Sequence, residues 1–205
     1  MKRLAIIGAS GHGKVVADVA ELVGWQYIVF YDDAWPSIDS VGAWPVVGRT
    51  SDLVDCIDAY DSFFVAIGNN EVRWEKFKYL SEFKHNSAIL VHPAAIVSKY
   101  AVLEEGTVVM ANAVINSFAT LCRASIVNTG ATIDHDCVLE AATHVSPGAN
   151  LAGRVLLGKM SWVGIGANII QEIVIGDNVI VGAGATVVNN IDSGLTVVGL
   201  PARPI

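Results

Sequence analysis

One short run holds the residues best suited to chemistry. In Asn128-Thr129-Gly130-Ala131-Thr132-Ile133-Asp134-His135-Asp136-Cys137 an imidazole stands between two carboxylates. A neighbouring carboxylate can fix a histidine's tautomer and raise its basicity by charge pairing, so His135 with Asp136 reads either as a general base or as a solvated surface pair. A metal reading of Asp134, His135, Asp136 and His144 is weaker: a zinc site of three imidazoles would have to draw on His92, far upstream. The second constellation is Gly8-Ala9-Ser10-Gly11-His12-Gly13-Lys14, a turn of small residues carrying an imidazole and an amine. Between a strand and a helix such a turn offers backbone N–H groups and a helix dipole to a phosphate, and otherwise it is simply a tight turn. It is not a Walker A loop, because Val15 stands where a magnesium-binding hydroxyl is needed, and it does not meet the dinucleotide pattern G-x-G-x-x-G. Asp32-Asp33 could accept hydrogen bonds from a ribose or a base, or serve as a solvated turn.

The elements that position these groups differ in texture on either side of residue 86. All but one of the five tryptophans precede it, and the rest of the chain is small, aliphatic and glycine-rich. Two domains are expected, over 1–85 and 86–205. In the first, Leu4 to Ile7 reads as a buried strand, Lys14 to Val23 as a helix with Val15, Val19 and Leu22 on one face, and Tyr27 to Tyr31 as a second strand. Phe63 to Ile67 reads as a further strand and Glu71 to Phe83 as another helix. This is a Rossmann-like βαβ unit, and its ligand belongs at the carboxyl edge, where the loops after Ile7, Tyr31 and Ile67 converge.

The second domain carries a repeat. From Val91 to Val187 every sixth residue, seventeen positions in all, is Ile, Leu or Val. These three types make up 61 of 205 residues, so chance would give such a run with odds of roughly 10⁻⁹. Four residues after most of these positions comes a small one, such as Ala113, Ala119, Ser125 or Ala131, as a narrow interior requires. An antiparallel sandwich would reset the phase at each variable turn, whereas a fixed period of six belongs to a parallel β-helix. His135, two residues after the inward Ile133, then falls near a corner on the outside of the prism.

Composition removes several classes of function. A formal charge of −7 has the wrong sign for neutralising nucleic-acid phosphates. Mean hydropathy is high, at +0.50, yet Asn112, Asn116 and Ser117 interrupt even the long uncharged run from Gly106 to Cys122, so no membrane span is read. Met1-Lys2-Arg3 runs straight into a strand, without the apolar stretch of a signal peptide. Cys56, Cys122 and Cys137 are odd in number and share no metal-ligand spacing, which suits a reduced, cytoplasmic setting.

Together the turn at Gly8 to Lys14, Asp32-Asp33, Ile67-Gly68-Asn69-Asn70, the hexapeptide array with Asp134-His135-Asp136-Cys137 and His144-Val145-Ser146, and the ending Gly199-Leu200-Pro201-Ala202-Arg203 resemble one family. It is that of the bacterial hexapeptide-repeat sugar acetyltransferases, which includes sialic acid O-acetyltransferases and UDP-4-amino-sugar N-acetyltransferases. The resemblance implies a three-sided, left-handed β-helix behind the α/β domain, acetyl-CoA as cosubstrate, no metal, and a homotrimer with its active site between neighbouring prisms. By position it implies His135 as catalytic base with Asp136 orienting it, where some members carry Glu. It implies acetyl-CoA contacts at His144, Ile165 and Ala183, with Arg203 either near the CoA phosphates or in a solvated tail. It also implies a nucleotide-sugar site at Ser10, Gly11, His12, Asp32, Asp33, Ile67, Gly68 and Asn69. The expected reaction is N-acetylation of the 4-amino group of a UDP-linked amino sugar. The alternatives are a GDP-perosamine-type N-acetyltransferase, a sialic acid O-acetyltransferase and, more distantly, a non-enzymatic scaffold that binds nucleotide sugars.

Overall fold

A computed structural model describes residues 1–84 and 86–205. The chain divides into two compact units, Met1–Pro93 and Ala94–Ile205. In the first, β1 (Arg3–Ile7), α1 (Gly11–Leu22), β2 (Tyr27–Tyr31), β3 (Ser40–Val41), β4 (Trp44–Gly48), α2 (Thr50–Val54), β5 (Ser62–Val65) and α3 (Asn70–Ser81) follow in chain order. The strands are arranged β3-β4-β2-β1-β5, parallel except for the β3–β4 hairpin. Leu4, Ile6, Phe30, Phe63 and Phe64 are fully buried, as near-continuous apolar strands covered on both faces should be. The chain leaves β1 toward β2 on one side and later returns to β5 on the other. The loops at the carboxyl ends of β1 and β5 therefore flank the point where the strand order reverses, the edge at which open α/β sheets hold a ligand in a crevice.

Helix α1 begins earlier than the apolar spacing indicates and turns a different face inward. Gly13, Val16, Ala17, Val19 and Ala20 are buried, whereas Val15 and Leu22 are about half exposed. The cause is close approach: a Cβ on Gly13 would lie 2.3 Å from the Gly8 carbonyl oxygen and 2.9 Å from the Phe30 ring. Only a residue without a side chain lets the first helical turn settle on the glycine turn, and that contact fixes the helix's rotation.

The second unit is a three-faced parallel solenoid. Two-residue strands end at each sixth apolar position, and each strand pairs with the one eighteen residues away, as Val97 pairs with Ile115 and Ile115 with Ile133. The first face runs from Ile96–Val97 through Thr132–Ile133 to Thr186–Val187, and the second from Val102–Leu103 through Val138–Leu139 to Val174–Ile175. The third contains Val108–Val109, Ile126–Val127, His144–Val145, Trp162–Val163 and Ile180–Val181, and a C-terminal hairpin of Thr196–Val198 with Arg203–Pro204 closes it. The inward aliphatics from Val109 to Val187 are buried, and so are the small residues behind them, including Ala113, Ala119, Ser125 and Cys137.

Corners make this winding possible. Every sixth residue from Gly106 to Gly184 has a left-handed φ, and nine of these residues are not glycine. The conformation costs a side-chain-bearing residue roughly 1–2 kcal/mol, least for Asn and Asp. Regular main-chain bonds between coils, such as Asp136 N–H to the Ser117 carbonyl at 3.2 Å and Arg154 N–H to the His135 carbonyl at 2.9 Å, hold the corners in place.

Candidate active site

At the carboxyl edge of the α/β sheet the loops that carry the expected residues come together. A Cβ on Gly8, whose φ is 106°, would touch the Ala66 carbonyl oxygen and the Ile67 side chain at 2.9 Å, so the loops after β1 and β5 meet there. The Ala9 N–H donates to one Asp32 oxygen at 2.8 Å, which ties in the loop after β2, and the other oxygen accepts the Ala34 N–H at 2.9 Å. Asp33 braces the end of β2: Lys76 donates to it at 2.6 Å and the Thr50 N–H at 3.1 Å. The Lys76 bond is the main cause of an Asp33 carboxyl held below its ordinary range. Ser10 precedes α1 without using its hydroxyl as a cap, and Gly11 opens the helix on an exposed turn with no acidic residue. Asn69 caps α3, its Oδ1 accepting the Val72 N–H at 3.0 Å.

Under this crevice lies a residue that the motifs do not disclose. Arg73 of α3 is completely buried. Its Nη1 donates to the Ile67 and Gly68 carbonyls at 2.9 and 3.0 Å, and its Nη2 donates to Asn70 Oδ1 at 2.8 Å. The one available signal is helical spacing: Asn70, Arg73, Phe77 and Leu80 are the buried stripe of α3, and a charge on such a stripe must be bonded. Burial lowers the Arg73 pKa to about 9. Burial first, and the Arg73 charge second, push His12 down to about 4.

His12 is therefore a neutral imidazole at pH 7, and its titration leaves a mark on stability. The folded state protonates near 4 and the unfolded chain near 6.5, so between these values the unfolded chain binds more protons. Stability is full above the upper value and falls as the pH drops toward the lower, by up to about 3 kcal/mol. Urea titrations from pH 7 to pH 4 should show this loss, and His12→Asn should flatten the profile. An unaltered slope in the variant would contradict the assignment.

In the solenoid, His135 and Asp136 share the corner after the first face. His135 Nδ1 lies 2.8 Å from Asp136 Oδ2, and Asp136 adopts the left-handed corner conformation at φ 59°, which aspartate tolerates. The two side chains are 54% and 46% exposed, so the pair is worth only about 0–1 kcal/mol in stability. Its effect is to fix the ring: Nδ1 is engaged and Nε2 is left as the basic nitrogen. Asp134 accepts the His135 N–H and an Asn116 amide N–H, each at 2.8 Å, and these bonds lower its carboxyl pKa. Two neighbours escape a reading by motif. Arg154, one coil on, approaches Asp136 to 4.0 Å and bonds Glu172 at 3.1 Å. A Cβ on Gly153, which is also one coil on, would lie 2.6 Å from the His135 ring.

The remaining predicted residues stand elsewhere on the prism. His144, on the third face, is 7% exposed and stacks on Trp162 with ring centroids 5.0 Å apart, and its Nε2 lies 3.4 Å from the Asn128 amide. Ile165 and Ala183 occupy successive coils of the corner after that face, joined by the Gly184 N–H bond to the Ile165 carbonyl at 2.8 Å. Between this corner and that of His135 runs the first face, with a ladder of Thr132, Asn150 and Asn168 bonded at 2.8 and 3.0 Å beside a shallow groove of about 460 Å³. One chain therefore does not bring His135 next to Ile165 and Ala183. Arg203 lies exposed in the closing hairpin. Among the described residues no three His, Cys, Asp or Glu side chains are grouped as a metal site.

Comparison with known proteins places this geometry. Residues 3–80 match the PglD N-terminal domain family. UDP-N-acetylbacillosamine N-acetyltransferase of Bacillus subtilis (strain 168) is 37% identical over 117 residues, covering 54% of this chain and 52% of that protein, so the chain spans about half the length of this curated relative. The acetyltransferase domain of PglB from Neisseria gonorrhoeae FA1090, solved in complex with acetyl coenzyme A, is 43% identical with a TM-score of 0.95, over 100% of this chain and 99% of that one. The chain belongs to the hexapeptide-repeat sugar acetyltransferase family. As in that family, its fold is a Rossmann-like unit followed by a left-handed parallel β-helix. A histidine-to-asparagine variant of perosamine N-acetyltransferase from Caulobacter crescentus, in complex with CoA and GDP-perosamine, aligns at 35% identity with a TM-score of 0.95, over 100% of this sugar acetyltransferase-family chain and 97% of its own.

Proposed function

We propose that this chain transfers the acetyl group of acetyl-CoA to the 4-amino group of a UDP-linked amino-dideoxy sugar. The observation that carries the reading is His135, exposed on a corner of the solenoid, with Nδ1 held by Asp136 and Nε2 left to act. The sugar nitrogen attacks the thioester carbonyl, His135 Nε2 takes the proton that the nitrogen loses, and backbone N–H groups stabilise the oxyanion. Collapse of the tetrahedral species breaks the C–S bond, and the imidazolium returns the proton to the departing sulfur. The acetyl group passes directly to nitrogen, without an acyl-enzyme.

The crevice of the α/β unit is the nucleotide site. The open first turn of α1, at Ser10 and Gly11, offers N–H groups to the diphosphate, and His12 acts there as a neutral hydrogen-bonding group. Asp32, Asp33, Ile67, Gly68 and Asn69 complete its wall, while His144, Ile165 and Ala183 receive acetyl-CoA. The separation of His135 from Ile165 and Ala183 within one chain favours a homotrimer, in which each His135 works on CoA held by a neighbouring prism. It also gives exposed aliphatics such as Val102 and Val174 a surface to meet. Among the described residues no helix is long and apolar enough to cross a membrane, and the reading puts the protein in the cytoplasm.

A second reading, the same transfer to a GDP-linked amino sugar, is favoured by the likeness to the Caulobacter crescentus enzyme. A thiol-release assay with acetyl-CoA against UDP- and GDP-linked 4-amino sugars and sialic acid separates the cases. The fastest release is expected with a UDP-linked amine. Preference for the GDP sugar would select the second reading, and preference for sialic acid would mean O-acetylation. Absence of release from the whole panel would leave only a nucleotide-sugar-binding scaffold.

A further inference from the structure

We infer that Gly153 is a positioning residue for the transfer proposed above: its missing side chain is the seat on which the His135 imidazole rests. Glycine is required where the backbone must turn left-handed, where a core is narrow, or where another group comes close. A left-handed φ is the reason at Gly130, Gly148 and Gly166, but the Gly153 φ is not of that kind. Nor is Gly153 an inward position where a narrow core demands smallness: it follows the inward Leu151 by two, in the register of His135 one coil earlier, and although it is itself buried, the atoms a side chain there would meet belong to the His135 ring. Close contacts with backbone, hydroxyl or aliphatic groups also account for Gly158, Gly164, Gly176 and Gly182, whereas at Gly153 the contact is with the His135 ring alone. A Cβ there would lie 2.6 Å from both Cε1 and Nε2 of His135 and 3.2 Å from Cδ2.

The coil length accounts for this juxtaposition. Strand pairing sets Thr132 beside Asn150 and Ile133 beside Leu151, so the corner after one coil stacks on the corner after the next and His135 comes under position 153. The Arg154 N–H bond to the His135 carbonyl, 2.9 Å, locks the two coils at that height. The ring is thus fixed from two directions. Asp136 holds Nδ1 at 2.8 Å, and the bare Gly153 α-carbon lets the opposite edge, with Nε2, lie against the next coil. A methyl group at 153 would meet that edge. The ring would have to rotate about its Cα–Cβ bond, which moves Nε2 and opens the Asp136 bond together.

The test is Gly153→Ala, measured beside His135→Ala. Alanine fits an ordinary backbone φ, so the melting temperature is expected to stay within about 2 °C of the parent. Turnover should fall by ~10²-fold with KM for both substrates changed less than about twofold, because the loss lies in the proton-transfer geometry and not in binding. The free protein supplies a readout that substrate contacts cannot affect: the His135 imidazole ¹⁵N and ¹H resonances should lose the signature of an Nδ1–H bonded to Asp136. Combining Gly153→Ala with His135→Ala should cost no more than His135→Ala alone. The inference is overturned if Gly153→Ala turns over within threefold of the parent, if turnover falls while the His135 resonances stay unchanged, or if the variant fails to fold. Full turnover by His135→Ala would instead sink the proposed function, so the two failures are distinguishable.

Discussion

Replacing His135 with alanine is expected to lower kcat by roughly 10² to 10⁴-fold, the usual contribution of a positioned general base. The loss should fall on turnover alone. More than half of the His135 side chain is exposed, so truncation removes little packing, and its bond to Asp136 contributes little to stability. The residues assigned to acetyl-CoA lie on another corner and another face of the same prism, so CoA affinity should be unchanged within about twofold. Circular dichroism, CoA titration and steady-state thiol release on one preparation check all three parts. Turnover equal to the parent's would remove His135 from the mechanism, and loss of CoA binding would place it in the wrong role.

Arg73→Ala carries the largest expected effect on stability, a loss of about 3–5 kcal/mol for the α/β unit. Three contributions set this figure. Truncation leaves a cavity where a long, fully buried side chain had been, and cavities of that size cost about 2–5 kcal/mol. The Ile67 and Gly68 carbonyls and Asn70 Oδ1 lose a charged donor, at about 1–3 kcal/mol for each acceptor left dry. Against this, the unfavourable burial of a guanidinium, visible in its pKa lowered to about 9, is relieved. Arg73→Lys should recover only a minor part, because one ammonium cannot span three acceptors in the plane of a guanidinium fork. Nucleotide affinity should fall in parallel, since the same loop forms the proposed site. Equilibrium unfolding in urea measures the effect, and a loss below about 1 kcal/mol would mean that Arg73 does not hold the loop.

The second unit is far easier to read from the sequence than the first. Its period survives because each strand and corner repeats one physical demand: an inward aliphatic such as Ile133, a small residue such as Cys137 behind it, and a left-handed corner between them. The α/β unit has no such redundancy. Its buried strands declare themselves through runs such as Leu4-Ala5-Ile6-Ile7, but the hairpin of Ser40–Val41 and Trp44–Gly48 is too short to show a period and contains Pro45. Apolar spacing misplaces the inward face of α1 because a contact between two glycines sets the helix's rotation, and no hydrophobic pattern records that.

The candidate site divides along the same line. His135, flanked by acids, and the glycine turn with His12 are local in sequence, so residue chemistry alone marks them. Arg73 and Gly153 act across space. Arg73 can be noticed only as a charge on a buried helical stripe, and Gly153 only once the coil is known to be eighteen residues long, so that a glycine falls over the histidine. The division of His135, His144, Ile165 and Ala183 among separate corners and faces likewise needs the three faces in hand.

Rapid-quench single turnover with acetyl-CoA labelled in the acetyl carbonyl, followed by mass analysis of protein and sugar, puts the central claim to its most direct test. The label is expected to pass from CoA to the sugar nitrogen in one phase, with none on the protein, and to remain on CoA when His135→Ala is used at the same enzyme concentration. Label on the protein ahead of the product, or transfer by His135→Ala at the parent's rate, would contradict direct transfer assisted by this imidazole.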